Sequence, residues 1–529
     1  MFAPREEGTM YANDGRESSR WAGLAVLTLP VLLTSMDITI LHIAIPKITH
    51  DLTPTASQTL WILDAYGFLL AGLLIVMGNL GDRIGRRRLL LIGAAVFGAA
   101  SVAAAFAPSA EVLILARALM GVGGATLMPS TLSLIRNMFT DPAERARAIG
   151  IWTASVSGGI ALGPIIGGLL LEYFWWGSVF LVNVPVIVAL LVLAGRIVPE
   201  YRSPRVAPLD VLSVLLSFAA ILPVVWAIKS AAEELTLTPA VVAGLAAGAL
   251  AGWCFIVRQR RIELPLVDVR LFADARFSGA ILGAGLAMFS LVGVMLYSAQ
   301  YLQLVQALSP LVAACAMLPV MVAVGAMAVV APGLAGRFGY ATVFGAGAAL
   351  AAAGMVAFSQ VGVDGGLVLA IVASAVIGAG IAPMMTLATD VVVGSVSPER
   401  SGAASALSET AAELGAALGV AVLGSIGTAM YRSGVLEEVP GDIPVEAAEA
   451  ISSSLGGALA VASQLGEPAG TALTQLARSA FVDGLSGATL AGGAILLGAA
   501  VICPILLHRG RSAQPTDRQQ TSPEAEGRR

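Results

Sequence analysis

The chain predicts an all-α integral membrane protein of fourteen transmembrane helices, arranged as two six-helix repeats with two further helices inserted between them. Three observations carry this. Of 529 residues, 57% are hydrophobic and only 12% charged, where a soluble domain carries about 25% charge. Apolar runs of the roughly 20 residues needed to cross a bilayer recur along the chain. The basic residues, finally, fall on alternate connections between those runs. A net charge of −4 gives no footing for a nucleic-acid partner. Cys254, Cys315 and Cys503 lie in apolar runs and read as small buried hydrophobes rather than disulfides or ligands.

The spans fall near 21–46, 57–80, 88–107, 110–135, 146–171, 177–195, 210–230, 238–257, 276–300, 309–333, 340–358, 366–393, 402–430 and 483–507. Residues 1–20 are polar and mixed in charge, with no short apolar segment ahead of a cleavage site, so 21–46 reads as a true span. Connections after even-numbered spans hold seventeen arginines; those after odd-numbered spans hold four basic residues, Lys47, Lys229, Arg432 and Arg478. By the positive-inside bias the even connections and both tails are expected in the cytoplasm.

Two halves echo one another. Ala118-Leu-Met-Gly121-Val-Gly123 in span 4 resembles Ala375-Val-Ile-Gly378-Ala-Gly380 in span 12. Pro-Ala-Glu144-Arg145 and Pro398-Glu399-Arg400 follow them, and Gly78–Arg86 after span 2 has a weaker echo in Gly333–Gly339. The offsets lie near 255, which makes spans 1–6 and 9–14 parallel repeats around inserted spans 7 and 8. Such repeats hold transport sites at the midplane between halves. The domain organisation expected is a tail at 1–20, a six-helix bundle at 21–195, a linker with two helices at 196–275, a second bundle at 276–507 and a disordered tail at 508–529. Residues 431–482 form a long acidic connection, with Glu437, Glu438, Asp442, Glu446, Glu449 and Glu467. Its two moderately apolar stretches, Val445–Leu465 and Ala469–Val482, read as a helical hairpin outside the cell, either a solvated surface or a wall that attracts cations.

Charge inside the spans points to function. Asp37 interrupts an apolar run at its centre, where a carboxylate costs roughly 2.5–3.5 kcal/mol on insertion scales and is seldom idle. Asp64 lies about two turns into span 2. Glu409 and Glu413 are one helical turn apart on one face of span 13. Arg117 in span 4 is the obvious intramembrane partner for one carboxylate, Asp37 first among them. Asp390, near the end of span 12, is either a further site or a capping group facing water. His42 is a candidate relay or a neutral packed side chain. Trp61, Tyr66, Met288, Phe289, Met317, Met384 and Met385 are candidates to line an apolar cavity for organic cations, or simply to pack.

Several stretches resemble a known family. Gly78-Asn-Leu-Gly81-Asp82-Arg83-Ile-Gly85-Arg86 resembles the loop signature of the major facilitator superfamily, in which glycines permit a tight turn and Asp82 can pair with arginines. Gly163-Pro164-Ile-Ile-Gly167-Gly168 in span 5 resembles the antiporter signature of its exporters, and Leu115-Ala-Arg117 the span 4 signature. Met36-Asp37-Ile-Thr39 to Pro46 resembles span 1 of the fourteen-helix drug:proton antiporters, with His42 where that pattern has Asn. Phe180-Leu-Val-Asn183-Val-Pro185 and Trp61-Ile-Leu-Asp64-Ala-Tyr66 match that branch too. An acidic residue at 64, with Glu409 and Glu413, is similar to quaternary ammonium and dye exporters of the QacA and SmvA type.

The resemblance implies the major facilitator fold and a monomer in the bacterial inner membrane, driven by the proton gradient with no cofactor or metal. It implies efflux of lipophilic organic cations in exchange for protons by alternating access. Export of an uncharged antibiotic or natural product is the alternative within the same fold. Three scattered histidines and three isolated cysteines give no clustered site for an enzyme.

Overall fold

The computed structural model describes residues 7–202, 210–234, 236, 238–262, 265, 269–395, 401–438 and 445–509. Pro398-Glu399-Arg400 and the tail beyond Arg509 lie outside them. Among the described residues, fourteen helices are long and apolar enough to cross a membrane. They are Arg20–Leu52, Ala56–Leu74, Arg86–Ala105, Ala110–Met138, Arg147–Tyr173, Ser178–Ile197, Val211–Ala231, Pro239–Arg261, Ala275–Val305, Pro310–Phe338, Tyr340–Phe358, Leu367–Val392, Leu407–Leu436 and Ala469–His508, here spans 1 to 14.

Helix starts follow local chemistry. Thr55 caps span 2 with a reciprocal bond to Gln58, Ser109 caps span 4, and Thr238 ahead of Pro239 caps span 8. The turns between spans 2 and 3 and between spans 10 and 11 are each made by a glycine with positive φ, Gly85 at 110° and Gly339 at 87°. These two glycines occupy corresponding positions in the two repeats. Only Gly85 is also crowded, because a Cβ there would come within 2.7 Å of the Glu200 carboxylate. That carboxylate accepts from the backbone N–H groups of Arg87 (2.9 Å) and Arg88 (3.2 Å), so it closes the start of span 3.

Packing repeats with the same register. Span 1 packs on 5, 2 on 4, and 3 on both 4 and 6; span 9 packs on 13, 10 on 12, and 11 on both 12 and 14. The halves meet along two seams, span 2 against 13 and span 5 against the start of span 10. Spans 7 and 8 pair with each other, and span 7 lies along the seam between 2 and 13. Phe68, Val225, Ala417 and Ala421 form a separate apolar cluster there. Much of this inserted pair is apolar and exposed, including Leu212, Leu215, Trp226, Leu250 and Trp253. In water such a face would be a liability; in lipid it matches its solvent.

Three expectations change. The helix of span 14 starts at Ala469, so 469–482 leads into the span instead of forming an arm of a separate hairpin. Nothing between Val482 and Asp483 breaks a helix, whereas Gly466-Glu467-Pro468 does. The two short helices of this connection are Val445–Ser453 and Leu455–Gln464. The first helix begins at Glu7, inside the stretch read as a tail. Lys229, assigned to a connection, lies within span 7 and is fully buried.

Candidate functional site

Span 1 carries Asp37 and is seated by the glycine stripe of span 5. A Cβ at Gly159 would come 2.5 Å from Leu32 O, one at Gly167 2.7 Å from Ile40 Cγ1, and one at Gly163 would fall on the Thr39 hydroxyl. The backbones therefore approach as closely as side-chain-free positions allow. Pro164 cannot donate to Ile160 O. Thr39 Oγ1 supplies the missing donor across the helix interface at 3.1 Å, shared with Met36 O at 3.2 Å. The Gly-Pro motif and Thr39 thus fix the helix that holds Asp37, two residues before that hydroxyl. Gly168 performs a similar service on the other seam, lying against Pro310 and Leu311 of span 10.

Asp37 forms a fully buried ion pair with Arg117, as the sequence suggested. Arg117 is further held by Ile62 O, to which Nε donates at 3.2 Å, and by the face of Tyr66, 4.7 Å from its guanidinium. A Cβ at Gly121 would come 2.5 Å from Tyr66 O, so this glycine brings span 4 close enough to span 2 for that stack. The other Asp37 oxygen, Oδ1, and His42 Nδ1 are buried with no hydrogen-bond partner among the described residues.

A second buried pair was not foreseen. Asp64 Oδ2 lies 2.7 Å from Lys229 Nζ, and both side chains are at most 1% exposed. The same ammonium sits 4.0 Å from the centre of the Trp61 ring. One signal was available in the sequence: the chain has only two lysines against 28 arginines, and this one follows an unbroken apolar run. Its place at the end of that run made a connection the simpler reading.

Asp64, Arg117, His42 and Tyr66 line a narrow cavity between the halves. Glu413 faces them from span 13, beside Ala416, Ala417 and Val420. Glu413 is buried, and among the described residues no cation or hydrogen-bond donor is matched to it. Glu409, a turn earlier on the same face, is exposed. Asp64 on the cavity wall is thus matched by Lys229, and Asp37 by the cavity-lining Arg117, while among the described residues Glu413 is left with its charge or its proton unassigned.

The remaining candidates are dispersed. Asp390 is exposed and borders a different pocket with Asp274, Arg276 and Tyr340, near the end of span 12. Met317 borders a second cavity within the C-terminal half, with Met295, Ser298 and Phe358. Phe289 and Met384 are buried in the core, with Phe289 backbone packed on Gly419; Met288 and Met385 pack against it half-buried. None of these five lines the central cavity. In the basic turn, Asp82 pairs with Arg86 at 2.7 Å, and Arg86 also reaches Pro129 O of span 4 at 3.4 Å. Gly81 lies under the Arg86 side chain, Gly78 lies near Pro129, and Arg83 is exposed.

Comparison with known proteins shows the family and the fold. The sequence model of the Major Facilitator Superfamily matches residues 27–420. The chain is 47% identical over 494 residues to the multidrug efflux pump LfrA of Mycolicibacterium smegmatis, covering 92% of this chain and 96% of that one. It is 36% identical to the methyl viologen resistance protein SmvA of Salmonella typhimurium, covering 90% and 96%. It is 33% identical to a tetracenomycin C resistance and export protein of Streptomyces glaucescens, covering 95% and 94%. Among solved structures, a bacterial homologue of the lysosomal transporter Spinster, inward-facing and unoccupied, superposes with a TM-score of 0.67 at 19% identity, covering 94% of this chain and 99% of that one.

Proposed function

The chain belongs to the Major Facilitator Superfamily, and from that premise we propose that it is a proton-coupled efflux antiporter for lipophilic organic cations. The observation that carries the reading is a buried carboxylate, Glu413, with no counter-ion among the described residues, facing Asp64 and Arg117, each already paired, across a cavity between the halves. A proton or a cationic drug satisfies that carboxylate equally, and the two exclude one another. Relatives named for multidrug efflux and for methyl viologen resistance support a cationic cargo.

Transport then runs as an exchange. A cation entering from the side of the basic connections, assigned to the cytoplasm, takes the place of the proton at Glu413. Glu409, exposed on the same face, lies on the approach. Rearrangement of the halves about the 2–13 and 5–10 seams opens the cavity to the other side, where protonation releases the drug. The Asp82–Arg86 pair at the turn between spans 2 and 3 is positioned to favour one arrangement of these helices over the other. The unpartnered Asp37 Oδ1 and His42 Nδ1 offer acceptor positions for a proton in transit. Moving one net charge against 100 mV costs about 2.3 kcal/mol. One proton exchanged for a monovalent cation avoids that cost, and a divalent cation requires two.

The test is proton-gradient collapse in inverted vesicles on adding a monovalent dye or a divalent biguanide. Collapse that is lost in Asp37→Asn with normal expression supports proton-coupled cation efflux. No response to either cation from folded protein, with a response to an uncharged antibiotic, would replace the cargo with a neutral one.

A further inference from the structure

A carboxylate beside an aromatic face is the chemical combination that recognises an organic cation. Asp64 and Trp61 form such a pair, and both partners are taken by one ammonium of the protein itself, Lys229 Nζ, at 2.7 Å and 4.0 Å. The position of Lys229 makes this a choice of the fold. It is two residues from the end of span 7, where a lysine ordinarily extends its charge to the interfacial water. Here it turns inward and is fully buried. The helix that delivers it is one of the inserted pair, packed into the seam between spans 2 and 13 beside the cavity wall at Ala417.

We propose that Lys229 is a resident cation that determines specificity for substrate charge: it occupies the Asp64–Trp61 site, and a substrate must displace it to use a second negative charge. This rests on the cation-efflux reading above. With Lys229 in place, Asp37 is matched by Arg117 and Asp64 by Lys229, so among the described residues the cavity offers one free carboxylate, Glu413. A monocation needs only that group. A dication needs Asp64 as well, and competes with an ammonium that is covalently tethered and therefore always present at high effective concentration. Lys229 is detachable in a way Arg117 is not. Arg117 has a carboxylate, a carbonyl and a ring; Lys229 has one carboxylate and one ring on a flexible stem.

The experiment is equilibrium binding of tetraphenylphosphonium (monovalent) and methyl viologen (divalent) to purified full-length protein. Lys229→Met is expected to tighten methyl viologen binding by at least roughly tenfold, the low end of couplings between close charge pairs, and to leave tetraphenylphosphonium within about threefold. The double variant Asp64→Asn/Lys229→Met removes both charges of the pair, so neither is left without its partner; it is expected to lose the gain. In a background with the three native cysteines replaced, Lys229→Cys should show the same gain. A thiol reagent that appends an aminoethyl group should cancel it, and a neutral methylthio reagent should not. Weaker binding of both cations in Lys229→Met, or an equal change in both, overturns the assignment and leaves Lys229 a structural counter-ion. A cancelled gain with the neutral reagent overturns it too. Wild-type binding of both cations with unchanged affinities in Lys229→Met sinks this inference alone. Binding of neither cation by either protein sinks the cation reading and this inference with it.

Discussion

The two buried ion pairs beside the cavity have the same composition, one acid and one base, but differ in what holds the base. Arg117 comes from span 4 of the same six-helix bundle as Asp37, and its guanidinium is fixed on three sides by Asp37, Ile62 O and Tyr66. Lys229 comes from an inserted helix outside that bundle, and its ammonium has Asp64 and the Trp61 face. A planar fork with matched acceptors is a fixed joint, while a point charge on a four-carbon stem is a plug. The contrast teaches that charge neutrality in a membrane cavity can be built in two ways, and only the second can be undone by a competing cation.

The comparison can be broken most severely at the fixed joint. Asp37→Asn leaves a guanidinium buried without its counter-ion, which costs about 3–5 kcal/mol. Thermal unfolding in detergent should show the loss, and gradient collapse in vesicles should vanish. Asp37→Asn with Arg117→Met should recover the thermal stability and not the transport. A double variant that transports would demote the pair to scaffolding.

Glu413→Gln probes the acid that has no partner among the described residues. No counter-ion is stranded, so the unfolding transition is expected to shift by no more than about 1 kcal/mol, the centre of the range for point substitutions. Apparent affinity for a monovalent dye should nonetheless fall by at least roughly tenfold, equivalent to about 1.4 kcal/mol. A large loss of stability with unaltered dye affinity would mean that Glu413 has a hidden structural partner.

The smallest effect on drug affinity is expected at the seat of span 1. Thr39→Val keeps the shape and removes the donor to Ile160 O, leaving that carbonyl unsatisfied at a cost of about 1–3 kcal/mol. If the fixed character of the Asp37 pair derives from this seat, transport should slow while drug affinity holds, since Asp37 and the cavity lining are untouched. Affinity falling in step with rate would place Thr39 at the binding site itself.

Much was legible in advance because hydrophobicity and charge act locally. The fourteen spans, the two repeats and the Asp37–Arg117 partnership follow from run length, from spaced glycines and from the cost of leaving a charge alone in hydrocarbon. The sequence left the five methionine and phenylalanine positions open between cavity and packing, because apolar residues in an all-apolar helix carry no sign of which face they present. Lys229 was missed for a related reason. Its sequence position fits an interfacial residue as well as a buried one, and only the docking of span 7 into the 2–13 seam decides between them.

By itself, then, the sequence determined the solvent, the number of crossings, the internal repetition and which side chains had to find an opposite charge. The tertiary structure decided who found whom. It matched Asp64 to a lysine 165 residues away in the chain, left Glu413 unmatched, and gathered His42, Tyr66, Arg117 and both acids around one cavity. The physical reason is that burial and pairing depend on rotation and tilt of whole helices. These are fixed by contacts between distant spans, which no local pattern encodes.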